Sequence, residues 1–271
     1  MWHEVQRVHA SLRRRFGRRS PRRFHAYCIG AAKTGTTSAA ACFEVNYRTQ
    51  HEPEARKTNR LVIDYLEGKI SESEVRDLLL ARDRRFHLEM ESSHPLCYLS
   101  GILVDLFPDA KFIATVREPL DWLRSRLNFH YKVDPPAWRE YRTYFWISRQ
   151  NGYPEEERIL KEYGLCSLDV YLSQYADHYK RIEESVEDDR LLVVKTEDIS
   201  TSVNDIGSFL QIDEDTLTTD YRNKSEYVIS ALDRLNPDYV INRIASHCED
   251  LIRSYYPERI SFYGLHDARM I

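Results

Sequence analysis

No apolar run in this 271-residue chain approaches the roughly 18–20 residues that a membrane-spanning helix needs. The N-terminus also lacks the apolar stretch of a secretory signal. Cysteine is sparse and scattered. Cys28, Cys42, Cys97, Cys166 and Cys248 form no C-x-x-C pair, which argues against a disulfide framework or a zinc site. An odd, unclustered set of thiols fits a reducing compartment, so a cytoplasmic location is expected. Internal repeats and long Gly/Ser linkers are missing too, and the length suits one large domain able to bury a core.

Charge is unevenly placed. The net charge is −4, yet residues 1–23 hold eight arginines against a single acid, Glu4. This basic arm suits an acidic partner, a membrane surface or nucleic acid. Trp2, Val5, His9, Leu12 and Phe16 recur at near-helical spacing, compatible with an amphipathic helix lying on a membrane. A solvated or protein-packed arm is the other reading, so peripheral membrane contact stays open and no function is drawn from the arm; no nucleic-acid partner is expected. Residues 24–271 are read as one folded domain.

The stretch from Phe24 to Ser38 organises that domain. Its first part, up to Ile29, reads as a strand entering a buried sheet. Gly30 and Gly35 follow, and then Thr36, Thr37, Ser38 and an alanine run open a helix. Strand, glycine loop and helix start together offer backbone N–H groups and a positive dipole end to a phosphate. A nucleotide triphosphatase loop, G-x-x-x-x-G-K-[ST], would need lysine directly after the second glycine. Thr36 stands there instead, and the lysine is Lys33.

Downstream, Lys111–Val116 reads as a strand that delivers Arg117-Glu118-Pro119, and a helix opens at Pro119. Ser125 lies eight residues after Arg117, a spacing that lets a guanidinium and a hydroxyl converge on one anion.

These two segments resemble the sulfotransferases that use 3′-phosphoadenosine 5′-phosphosulfate (PAPS), of the bacterial type. Lys33-Thr34-Gly35-Thr36-Thr37 matches their 5′-phosphosulfate loop, and Arg117 with Ser125 matches their 3′-phosphate clamp. The resemblance spans roughly residues 24–265. It implies PAPS as donor, no required metal, and donor contacts from Ala32, Lys33, Thr34, Gly35, Thr36, Thr37, Ser38, Arg117 and Ser125. It implies Asn223 and Lys224 as well, since similar Asn-Lys-Ser loops fold over the nucleotide. Lys195-Thr196-Glu197-Asp198 after the fifth strand matches a segment that mainly braces the family's fold.

Transfer to a hydroxyl or amine needs a base for the acceptor's proton. The family places such groups after the second and third strands. Glu52 is the favoured base, with His51 as an orienting neighbour, His94 as second choice and Glu91 as third. Lys33 would follow charge onto the departing phosphate. The aromatics Phe129, Tyr131, Trp138, Tyr141, Tyr144, Phe145, Trp146 and Tyr153 are read as core, with a substrate wall as the other reading. The acceptor is a small molecule or glycan, such as a carbohydrate, phenol or lipid; the oligomeric state is open.

Strands are expected near Val45–Gln50, Phe86–Met90 and Leu191–Val194, and helices over 54–83, Leu96–Leu106, Ser167–Glu187, Ser202–Leu210 and 237–256. Their alternation predicts an α/β fold: a single parallel sheet with helices on both faces, P-loop-like. Two alternatives remain open on the residues alone. A P-loop kinase or triphosphatase would share the sheet but needs the missing lysine and a magnesium carboxylate. A non-catalytic nucleotide-binding module leaves Arg117 and Ser125 unexplained.

Overall fold

The computed structural model describes residues 20–219 and 229–266. Most of the basic arm, together with Asn223 and Lys224, lies outside the described residues. The arm's last residues already belong to the domain, where Arg22 pairs with Asp83 and Arg23 Nε lies 3.0 Å from Glu89 Oε1.

Five strands, β1 (Ala26–Cys28), β2 (Thr49–His51), β3 (Met90–Ser92), β4 (Lys111–Val116) and β5 (Leu191–Lys195), form one sheet in the order β2-β3-β1-β4-β5. Every pairing is parallel. Parallel strands need crossovers, and the crossovers cover both faces with helices. The alternation of side chains along the strands shows this directly. Tyr27, Ile29, Phe112, Ala114 and Val116 point into the larger core. Ala26, Cys28, Ile113 and Val194 point into the smaller one, beneath helices α1 (Thr36–Ala41) and α9 (Val203–Leu210).

Between β2 and β3 run α2 (Ala55–Leu66) and α3 (Glu72–Phe86). They divide the helical stretch expected over 54–83 at a turn through Gly68. α3 restarts with a reciprocal cap, in which the Glu74 N–H donates to Ser71 Oγ at 3.3 Å and the Ser71 N–H donates to Glu74 Oε2 at 2.8 Å. The helix then runs to Phe86, so the third strand starts four residues after the Phe86–Met90 estimate, at Met90. β2 is likewise confined to Thr49–His51, where β3 offers partners, and Val45 is left exposed.

A 3₁₀ turn (His94–Leu99) and α4 (Ser100–Leu106) lead to β4. After it come α5 (Pro119–Lys132), α6 (Arg139–Phe145), α7 (Arg158–Glu162) and α8 (Leu168–Ser185), with α10 (Pro237–Tyr255) packed on α8. The loops after β1, β2, β3, β4 and β5 all leave the sheet at its C-terminal edge, where α/β sheets gather ligands.

Candidate active site

The loop after β1 is built around two glycines that no other residue replaces. A Cβ on Gly30 would lie 2.3 Å from Thr115 Oγ1 and 2.5 Å from the Thr115 backbone N and O, so only glycine lets β1 exit against β4. Gly35 has φ 93°, and its Cβ would meet Ile199. Lys33 also takes a left-handed backbone, φ 77°, which turns its side chain out of the loop at some cost in strain.

Three contacts hold this loop to the neighbouring strand tips and to α5. Thr34 is fully buried; its hydroxyl lies 2.6 Å from the Ala31 carbonyl and 2.7 Å from Thr115 Oγ1. The Thr196 hydroxyl reaches the Thr34 carbonyl at 2.7 Å and the Val116 carbonyl at 2.9 Å. Trp122 Nε1 on α5 donates to the Ala32 carbonyl at 2.9 Å. The Trp122 ring stacks on Tyr175 at 3.9 Å, and the Arg117 N–H donates to Tyr175 Oη at 3.1 Å while Tyr175 donates back to the Arg117 carbonyl. Loop and arginine are thus fixed to each other through two aromatic side chains.

Above the loop opens a cavity of about 790 Å³. Ala32, Lys33, Gly35, Thr36, Thr37 and Ser38 form part of its wall, and Arg117, His51, Glu52 and His94 complete that end. Most of the residues singled out in the sequence therefore converge. Thr34 lies beneath the loop and serves its fold. Ser125, 1% exposed on α5, is buried behind the lining. Thr219 is also on the wall, and the Ile229 N–H donates to Asn128 Oδ1 at 2.9 Å. Asn223 and Lys224 lie outside the described residues.

Glu91 is not in the cavity. It lies in a separate crevice that it shares with Tyr27, buried and ion-paired with Arg82. Burial pushes its carboxyl up even against the Arg82 charge. A buried acid with a dedicated arginine is a structural pair, and Glu91 leaves the set of candidate bases.

Glu52 and His94 form the pair that matters. His94 Nδ1 lies 2.8 Å from Glu52 Oε1. The imidazole stacks on Trp138 at 4.7 Å and meets Tyr141 edge-on at 5.3 Å, so its plane is locked. Burial holds His94 below the usual histidine value, outweighing the hydrogen bond and charge of Glu52. Burial pushes Glu52 up, but the His94 hydrogen bond, with His94, His51 and Arg126 charges, brings it below the usual carboxylate range. Near neutral pH this leaves an ionised Glu52 accepting from Nδ1–H of a neutral His94. His51 Nε2 faces Thr36 Oγ1 at 3.2 Å and Thr37 Oγ1 at 3.4 Å, with Nδ1 4.0 Å from Glu52 Oε2. It bridges the glycine loop and the pair.

The rest of the cavity wall is largely aromatic: Phe129, Trp138, Tyr141 and Trp146 line it, whereas Tyr131 is exposed on the surface. Lys33 Nζ sits 4.9 Å above the Phe129 ring. Burial, then the charges of Arg126 and Arg117, lowers the Lys33 pKa. Arg126, which the sequence did not single out, is 5% exposed and lines the cavity too. Nothing local marks it, because its surroundings come from α5, α6 and α8. Among the described residues no group of three or more His, Cys, Asp or Glu side chains is arranged to hold a metal ion.

A sulfotransferase domain model matches residues 27–214, from the first strand through the fifth and beyond. The chain belongs to the sulfotransferase family. A stretch of 108 residues is 28% identical to Ava biosynthesis cluster protein M of Aspergillus versicolor, covering 36% of this chain and 41% of that protein. The chain thus matches less than half the length of this curated relative. Among solved structures, a sulfotransferase from Alicyclobacillus acidocaldarius aligns at 17% identity over 91% of this chain and 98% of that one, with a TM-score of 0.44. The sulfotransferase domain of the Synechococcus PCC 7002 olefin synthase aligns at 14% identity over 83% and 86%, with a TM-score of 0.36. At these scores neither superposition locates individual residues of this sulfotransferase-family chain.

Proposed function

We propose that this chain transfers a sulfuryl group from PAPS to a hydroxyl, or an amine, of a small-molecule acceptor. One observation carries the reading: the glycine loop with Lys33, the strand-tip Arg117 and the Glu52–His94 pair all open on one cavity. The tight approach at Gly30 and the left-handed Gly35 suit a loop whose N–H groups close around a phosphate. The donor brings an activated sulfuryl group on a phosphate that leaves readily.

The chain's own groups divide the remaining work. The N–H groups of residues 35–38, with the hydroxyls of Thr36 and Thr37, hold the 5′-phosphate. Lys33 supplies positive charge where the leaving oxygen gains negative charge. Arg117 holds the 3′-phosphate, and Asn223 and Lys224 are proposed to assist it. His94 takes the acceptor proton at Nε2, while Glu52 fixes the tautomer through Nδ1–H and stabilises the imidazolium that forms. The ranking of the two candidate bases is thereby reversed from the sequence-based expectation. The Glu52 carboxylate is held below its usual range and is engaged by Nδ1–H, which leaves Nε2 of the neutral imidazole to take the proton.

The kinase reading finds little support, since Thr36 occupies the position of the phosphate-binding lysine. Incubating the purified chain with labelled PAPS and panels of phenols, sugars, hydroxylated lipids and amines, with and without chelator, tests the proposal. Label should move to at least one class in chelator. Transfer to none of them, or phosphate transfer from ATP instead, would end it.

A further inference from the structure

Among the described residues Arg126 is the one buried cation on the cavity wall. The residue is 5% exposed, its Nε has no hydrogen-bond partner, and no carboxylate lies within ion-pair distance of it. What it touches is aromatic: the guanidinium carbon stands 4.5 Å from the Trp146 ring centre and 5.9 Å from that of Phe129. None of the acids of the cavity is ion-paired with it. Glu52 is bonded to His94, Asp134 lies 2.8 Å from Arg139 Nε, and Glu197 is exposed just after the fifth strand.

A buried cation with no carboxylate in direct contact is among the costliest groups a fold can keep, and Glu52 acts on Arg126 only from a distance. Burial lowers the Arg126 pKa, but only to about 10, so it stays charged. Its field reaches across the site: it is among the causes that depress Lys33, His94 and His130. Arg142, also on the wall, adds further positive charge at this end. Donor phosphates do not explain it, because Lys33 and Arg117 already serve them, and Arg126 sits nearer Trp146 than the Phe129 ring that Lys33 covers.

Resting on the sulfotransferase reading above, we propose that the acceptor is a hydroxy acid whose carboxylate pairs with Arg126. Its aromatic or acyl body would lie among Phe129, Trp138, Tyr141 and Trp146, and its hydroxyl would face His94. The planar guanidinium fork matches a carboxylate in two parallel hydrogen bonds, and stacking on Trp146 holds that fork in place.

Two readouts test this, one independent of turnover. In the presence of adenosine 3′,5′-bisphosphate, quenching of tryptophan fluorescence would report binding of 3-phenylpropanoate, of longer-chain carboxylates and of their primary amides. Carboxylates should bind about 10- to 100-fold more tightly than the matching amides. R126M should abolish that preference, and R126K should restore part of it. In the second readout, hydroxy acids such as 3-(4-hydroxyphenyl)propanoate should be sulfated with a higher kcat/KM than their amides, again only while Arg126 is present. Equal or better binding of the amides by the unmodified protein overturns the inference, with no variant needed. So does an R126M effect equal on acids and amides, which would assign Arg126 to the sulfuryl group. Failure of the underlying reading looks different: the unmodified protein would not bind adenosine 3′,5′-bisphosphate at all.

Discussion

Replacing Glu52 by Gln removes a charge but keeps the size and an oxygen within reach of His94. The 2.8 Å contact is a hydrogen bond to a half-buried carboxylate, worth about 1.5–3 kcal/mol. That interaction strengthens as the ring becomes an imidazolium, so its loss should appear in the barrier as a fall in kcat of roughly 10- to 150-fold. Replacing His94 by Gln removes the proton acceptor itself, and the fall should be about 10²- to 10⁴-fold. The pH profile separates the roles further. Activity requires neutral His94, so it falls as pH drops through the His94 pKa, which burial has set below 6.5. The Glu52 hydrogen bond and charge raise that pKa, so E52Q should move the acidic limb of kcat/KM to still lower pH. The assay is initial-rate transfer from PAPS at saturating donor, acceptor varied, from pH 4.5 to 8. A larger loss in E52Q than in H94Q, with no limb remaining, would return the base to Glu52.

Three further outcomes are expected. R117A should weaken PAPS by roughly 30- to 1000-fold, from about 2–4 kcal/mol, while leaving adenosine 5′-phosphosulfate far less affected; equal effects in titration calorimetry would remove the 3′-phosphate from Arg117. G30A forces a Cβ to 2.5 Å from backbone atoms of Thr115, which cannot rotate away, and should cost about 1–3 kcal/mol or more, several degrees in thermal melts. An unchanged melting temperature would contradict the packing of β1 on β4. His178 donates Nε2–H to the Ile29 carbonyl at 2.7 Å, and burial pushes its pKa down to about 3 from 6.5. The folded chain therefore refuses a proton that the unfolded chain accepts, so this contribution is full above pH 6.5 and is lost as pH falls from 6.5 toward 3. H178Q should make the acid slope of stability shallower by about 1.4 kcal/mol per pH unit, measurable by urea unfolding at several pH values.

How much of this was legible in the sequence depends on whether the cause was local. The glycine loop was readable because the constraint at Gly35 and the lysine's position act over a few residues. β4, β5, α8 and α10 announced themselves by apolar runs and periodicity, with Pro237 at the first turn of the last helix. The third strand did not, because Met90-Glu91-Ser92 has no apolar pattern, whereas Phe86 looks like a strand and closes a helix. Glu91 shows the same limit at the site: a buried acid paired with Arg82 reads no differently from a catalytic one. The aromatics of 129–146 proved both core and wall, Phe145 fully buried and Trp138 on the cavity. Arg126 and the Trp122–Ala32 bond depend on elements brought together only by the fold, and no spacing rule reaches them.

The most direct measurement is calorimetric titration of the full chain with PAPS in chelator, set beside ATP with magnesium. Saturable PAPS binding without metal, weakened strongly by R117A, together with little or no binding of magnesium ATP, is the expected result. Tight magnesium-dependent ATP binding, with PAPS ignored, would contradict the assignment of this cavity to sulfuryl transfer.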